Sequence, residues 1–317
     1  MSEARARAAD DVTVGAPSAD EDPRIGTSPA DRDAPRRPGA GLSPSFDESS
    51  LARPPVAEVS DLVVAAADGT ELVRGVSVSV RPGEALGIVG ESGSGKTLTC
   101  RALLGILPRG LSVASGTVSV AGEDLTHAPE KQWRRVRGTH IGAVFQDPAS
   151  YLNPASPVGR QLEETLRVTA GVPRGQTRDR ARELLDSLGI RRVDLVLRQR
   201  VAELSGGMLQ RVLIAMALAA DPAVLIADEA TTALDVTVQA ELLELLRSLR
   251  RERDLALVLV SHDLAVVAQV CERVQVFRDG AVVEAGATSR VLRAPGHPYT
   301  RELLSAHAAY GLERFLA

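Results

Sequence analysis

The sequence predicts a layered α/β fold, and three observations carry the prediction. Short apolar runs at 85–89, 223–227, 255–261 and 274–277 alternate with helical stretches, the pattern of a sheet covered by helices. The run at 223–227 is apolar throughout, as strands buried on both faces are. Finally, the strand at Ala85–Val89 runs straight into a glycine-rich loop and then a helical stretch at 98–107.

Composition removes several rival classes. The chain has 317 residues, 44% hydrophobic and 25% charged, enough for a sizeable globular core. A net charge of -4 gives no electrostatic ground for nucleic acid as a partner, and no polybasic run marks an anionic membrane surface. Cys100 and Cys271 form no C-x-x-C pair. They fit buried thiols in a reducing cytosol rather than a disulfide framework or a metal site. The first residues lack the apolar segment of a secretory signal, and no stretch reaches the roughly 18 apolar residues of a spanning helix. The chain is expected to be soluble by itself.

The elements follow in order. Residues 1–55 hold eight of the 18 prolines and show no apolar periodicity, so a disordered N-terminal tail is expected. From Val56 the β-rich runs 76–80 and 116–120 lie among the turn signals Asp68-Gly69 and Pro82-Gly83. A further strand is expected at 143–146. Between about 149 and 203 strands stop, and amphipathic segments at 161–169, 177–188 and 193–199 predict an inserted helical subdomain. The α/β domain is expected to span 56–286, with a short helical extension over 287–317.

Gly90-Glu91-Ser92-Gly93-Ser94-Gly95-Lys96-Thr97 fits G-x-x-x-x-G-K-[ST] in its required strand–loop–helix setting. Its glycines let successive backbone N–H groups face phosphate oxygens at a helix N-terminus. Lys96 reaches the β- and γ-phosphates, and the Thr97 hydroxyl is a Mg²⁺ ligand. Lys96 is one of only two lysines in the chain, with Lys131, which makes an accidental match hard to sustain. Neither lysine is preceded by Asn, so the N-K-x-D element of a guanine reader is missing.

A second acidic element follows the apolar run 223–227. Asp228 is delivered to the C-terminal end of a strand, where open α/β sheets bind ligands, and is a candidate Mg²⁺ ligand. Glu229 is a candidate general base for water. Alone, Asp228 reads equally well as a helix cap; the upstream phosphate loop decides for the metal. In Leu204-Ser205-Gly206-Gly207-Met208-Leu209-Gln210-Arg211, Ser205 caps a helix, and Gly206 and Gly207 admit close approach of an anion. One chain then carries two phosphate-binding helix termini, which hints at a nucleotide shared between two copies.

With these residues in place, LSGGMLQR resembles the signature motif of the ABC ATPases, whose other elements occur in the right order. The chain thus resembles a P-loop NTPase of the ABC type, which implies an antiparallel β subdomain beside the α/β core. Gln146 is similar to the Q-loop glutamine, a Mg²⁺ ligand and a link to the transmembrane partner. Ala233-Leu234-Asp235 is similar to the D-loop, and His262 stands at the switch-histidine position. Alone, His262 and Gln146 would read as surface residues; their places in the ordered set give them weight. The segments 227–243 and 145–154, with Pro295-Gly296-His297-Pro298-Tyr299-Thr300, resemble the ATP-binding subunits of oligopeptide, dipeptide and nickel importers. His297 alone suggests a metal ligand, but a Pro-flanked turn between helices is the plainer reading.

The resemblance implies ATP and Mg²⁺ as cofactors, ATP hydrolysis coupled to transport, and a place at the cytoplasmic face of the membrane. It implies as partners two transmembrane permease subunits, a second ATP-binding subunit and an extracellular solute-binding protein. A non-transport ABC ATPase is the alternative, as is an importer of another solute such as nickel. The sequence departs from the family in three places. No aromatic stands between Phe46 and Trp133, and Val64, Ala65 and Ala66 occupy the place of the ring that stacks on adenine. Ala230 replaces the usual Pro after Glu229, and there is no C-terminal Cys cluster for an iron–sulfur centre.

Overall fold

The computed structural model describes residues 53–230 and 234–308. Residues 1–52 of the expected tail, Ala233 of the D-loop-like segment and residues 309–317 of the expected extension lie outside that range.

The first strands form a four-stranded antiparallel sheet. β1 (Ala57–Ala66) pairs with β2 (Glu71–Val80) on one side and with β4 (Leu111–Val120) on the other. The short β5 (Glu123–Asp124) pairs with β4 at the edge. The Asp68-Gly69 signal makes the β1–β2 turn: Gly69 takes φ 85° and the Asp68 carboxylate accepts the Thr70 N–H at 2.9 Å.

A second, six-stranded sheet carries the functional edge. Its strands, in order across it, are β10 (Ala281–Ala287), β9 (Arg273–Arg278), β3 (Ala85–Val89), β8 (Ala256–Val260), β7 (Val224–Asp228) and β6 (Ile141–Val144). All neighbours run parallel except β10 against β9. The unbroken apolar runs now have a cause. Val224 and Ile226 of β7 face a core shared with the antiparallel sheet, whereas Leu225 and Ala227 face a core built with the helices. Alternating side chains serve two cores, so no polar position is left in the strand before Asp228 at its end.

Helices cover both faces. α1 (Lys96–Leu103) and α2 (Glu130–Val136) pack on the first core. α1 ends in paired backbone bonds, Gly105 N–H to Ala102 O and Ile106 N–H to Arg101 O, with Gly105 at φ 62°. This is a Schellman stop. Trp133 of α2 lies so close to Gly105 that a Cβ there would sit 2.3 Å from its ring.

The stretch 149–203 holds α3 (Val158–Thr169), α4 (Thr177–Ser187) and α5 (Val193–Val196), and no strand. Leu162 and Leu166, one turn apart, are fully buried with Leu185 and Leu188. α6 (Gly206–Ala217), α7 (Val236–Arg253) and α8 (Leu264–Val270) pack on the second core, and α9 (Thr288–Arg293) and α10 (Pro298–Ala308) close the described chain.

Several elements differ from the expectation: β1 was not anticipated, β2 and β4 each begin five residues before the runs at 76–80 and 116–120, and α5 stops at Val196 rather than at 199. The strand placed at 143–146 lies at Ile141–Val144, because Asp147 turns to φ 61° ahead of Pro148; Phe145 and Gln146 therefore leave the sheet as loop. The helix placed at 98–107 begins at Lys96 and stops at Leu103, forced by Gly105. β10 was not foreseen: its Ala- and Gly-rich sequence has low strand propensity and only edge-type burial.

Candidate nucleotide site

Parallel register brings four strand ends to one line. Ile88 and Asp228 both pair with Val260, and Val144 pairs with Ala227. The residues that follow each strand therefore meet at a single edge, the place where open α/β sheets bind ligands. There they line a cavity of about 600 Å³. Ser92, Gly93, Ser94, Gly95, Lys96 and Thr97 border it from the loop after β3, Gln146 from the end of β6, Asp228 and Glu229 from β7, and His262 from β8.

The loop is set for an anion. Gly95 caps α1 at φ 99° with no side-chain bond to the first turn, so the first N–H groups of the helix keep no capping partner. Gly90 stands at φ 149°, and a Cβ there would meet the Phe277 carbonyl at 2.2 Å; only glycine fits. Lys96 is buried and its Nζ donates to Gly90 O at 2.8 Å and to Glu91 O at 2.7 Å. Burial holds the Lys96 ammonium below its ordinary pKa, while the carboxylates of Glu229 and Asp228 act the other way.

The acidic side faces this lysine. Thr97 Oγ1 donates to Asp228 Oδ1 at 3.3 Å. Burial raises the Asp228 pKa, the Thr97 bond opposes that, and the nearby Glu229 raises it further. Glu229 takes φ 50°, and its N–H donates to Val260 O at 3.0 Å, which locks the bend that turns its side chain off the strand. His262 Nδ1 lies 3.9 Å from Glu229 Oε1. Two hard oxygens, the Thr97 hydroxyl and the Asp228 carboxylate, with the Gln146 amide on the same cavity wall, fit a small divalent cation that keeps water and phosphate oxygens as its remaining ligands.

Ser205, Gly206 and Gly207 are not among the residues that line this cavity. Ser205 Oγ accepts the Met208 N–H at 3.3 Å and caps α6, and Ser205 and Gly206 are exposed. The capped N-terminus of α6 therefore lies outside the lining of the cavity that the Gly90–Thr97 loop borders.

The structure adds residues the sequence reading missed. Arg101 lines the cavity four positions after Thr97, on the same helix face; helical spacing alone could have found it. Phe145 and Tyr151 also border the cavity, with ring centroids 5.7 Å apart. Tyr299 touches the loop from a helix more than 200 residues later, and no local pattern signals that contact.

A nucleotide-binding P-loop ATPase is the class that this fold and edge define. Residues 73–232 match the family described as ABC transporter, and the chain belongs to that family as an ATP-binding, ATP-hydrolysing component. It is 46% identical over 264 residues to a putative peptide import ATP-binding protein of Brucella abortus (strain 2308), covering 81% of this chain and 78% of that one. It is 43% identical over 253 residues to the oligopeptide transport ATP-binding protein OppD of Bacillus subtilis (strain 168), covering 78% and 71%. The fold is similar to the ATP-binding cassette MJ0796, solved as a dimer in a post-hydrolysis state with ADP and Pi. That likeness has a TM-score of 0.65 and 26% identity over 73% of this chain and 98% of that one.

Proposed function

We propose that this chain powers a peptide importer, with two ATPase domains sandwiching ATP head to tail between Gly90–Thr97 of one and Ser205–Gly207 of the other. The observation that carries the reading is that these two segments do not share a cavity within one chain: the loop borders one, and the exposed, capped helix terminus is not part of its lining. Relatives named for peptide, oligopeptide and D,D-dipeptide transport support the solute class.

In this mechanism the cavity-lining part of the loop, from Ser92 to Gly95, cradles the phosphates with backbone N–H groups, and Lys96 binds the β- and γ-oxygens. Thr97, Asp228 and Gln146 hold Mg²⁺, which neutralises phosphate charge when bound. Glu229 takes a proton from the attacking water, and His262 orients that water and contacts the γ-phosphate. Gln146 senses closure of the site. The work is mainly positioning and charge stabilisation.

The other components follow from the same reading: two permease subunits, a second ATP-binding subunit, alike or different, and an extracellular solute-binding protein. Among the described residues no helix is long and apolar enough to cross a membrane; the likeness to import ATP-binding proteins supports a peripheral place at the cytoplasmic face. The apolar groove of Leu104, Phe145, Tyr151, Leu213 and Met216 beside Gln146 suits a docking permease segment. The test is uptake of labelled di- and oligopeptides by cells carrying Glu229→Gln at this locus. Loss of peptide uptake with nickel uptake intact supports the proposal; intact peptide uptake with lost nickel uptake moves the solute to the metal.

A further inference from the structure

The His297-Pro298-Tyr299-Thr300 element has so far no part in the chemistry, yet it reaches the phosphate loop. The Glu91 N–H donates to the Tyr299 hydroxyl oxygen at 3.1 Å. That N–H belongs to the same peptide unit as the Gly90 carbonyl, which accepts from Lys96 Nζ at 2.8 Å. A trans peptide is planar, so its N–H and C=O point opposite ways and turn together. One end of this unit is held by the lysine and the other by the tyrosine.

We propose that Tyr299 is a positioning residue of the nucleotide site, which fixes the Gly90–Glu91 peptide and through it the placement of Lys96. The inference rests on the ATP-site reading above. The tyrosine is itself firmly held. It is 2% exposed, and the Arg278 guanidinium lies 4.6 Å from its ring centroid. Its N–H donates to His297 Nδ1 at 3.2 Å. The turn before it is tied down by Glu284, whose carboxylate accepts the Gly296 and His297 N–H groups at 2.7 Å and 3.1 Å. Arg278 ends β9, the strand beside β3, so the ring is anchored to the sheet edge that carries the loop. Gly90 itself lies against the Phe277 carbonyl, so closely that there is no room for a Cβ.

The test is ATP binding and turnover for the full chain and for Tyr299→Phe, Lys96→Ala and the double variant. Tyr299→Phe keeps the ring and its packing and deletes only the acceptor. The expected result is about tenfold weaker ATP binding, the size of one hydrogen bond. The loss should vanish in the Lys96→Ala background, because the tyrosine acts through the lysine. Equal losses in both backgrounds, or no loss in either, would overturn the inference. If Tyr299→Phe fails to fold, hydrogen exchange of the Glu91 amide in the native chain decides: protection supports the bond and rapid exchange refutes it. Failure of the native chain to bind ATP, or indifference to Lys96→Ala, would instead remove the ATP-site reading itself.

Discussion

His262 Nδ1 and Glu229 Oε1 stand 3.9 Å apart at the ends of adjacent parallel strands. A one-residue change of register between β7 and β8 would send one of them to the opposite face of the sheet. The pair is therefore a product of strand alignment, and both members face the cavity that the phosphate loop opens.

If Glu229 is the base, Glu229→Gln should lower ATP turnover by about 10²–10⁴-fold, the usual worth of general-base catalysis, and leave ATP binding near its native level. A steady-state phosphate-release assay beside an equilibrium binding titration separates the two effects.

Lys96 stands at the end of the phosphate loop, and its ammonium is bonded to two loop carbonyls. Lys96→Ala should weaken ATP binding about 10- to 100-fold, the range of a charge-assisted hydrogen bond. Lys96→Arg should restore little, because a planar guanidinium does not fit a pocket shaped for a point charge. Titration with a fluorescent ATP analogue reads both.

Asp228 gives a pH prediction with a definite sign. Burial raises its pKa in the folded chain above the unfolded value. Between those values the folded state binds more protons, so stability falls as pH rises through the window, and above it the cost is complete. Asp228→Asn should therefore raise the melting temperature at neutral pH, and the gain should shrink as pH drops below the carboxylate range. The same variant should lose Mg²⁺-dependent ATP turnover. A melting series from pH 3 to pH 8 tests the sign, and a stability gain that grows toward acid would contradict it.

Gly105→Ala should destabilise the fold by about 2–4 kcal/mol, since it combines left-handed backbone strain with overpacking against Trp133. Gly110 also has a positive φ, of 86°, but open space around it. Gly110→Ala should cost only about 1–2 kcal/mol. Equal shifts in the two denaturant midpoints would remove the ring from the account.

Much of the fold was legible because strands buried on both faces leave an unbroken apolar run, as at 224–227 of β7. The phosphate loop was legible because its geometry demands glycine and lysine at fixed spacing. Boundaries slipped where a turn residue overrode the apolar pattern: Asp147 cut β6 short and Gly105 ended α1. The cavity-lining role of Arg101 was implicit in helical spacing from Thr97. The Tyr299 contact was not legible at all, because it depends on how α10 returns to the sheet edge, a long-range consequence of packing.

The separation of Gly90–Thr97 from Ser205–Gly207 makes the central claim a matter of stoichiometry. The most direct measurement is the molar mass of Glu229→Gln in solution by light scattering, with and without Mg·ATP, alone and mixed with a partner ATPase subunit. The shared-site mechanism predicts a monomer without nucleotide and a stable dimer with it. A chain that binds ATP yet stays monomeric in every mixture would contradict the mechanism.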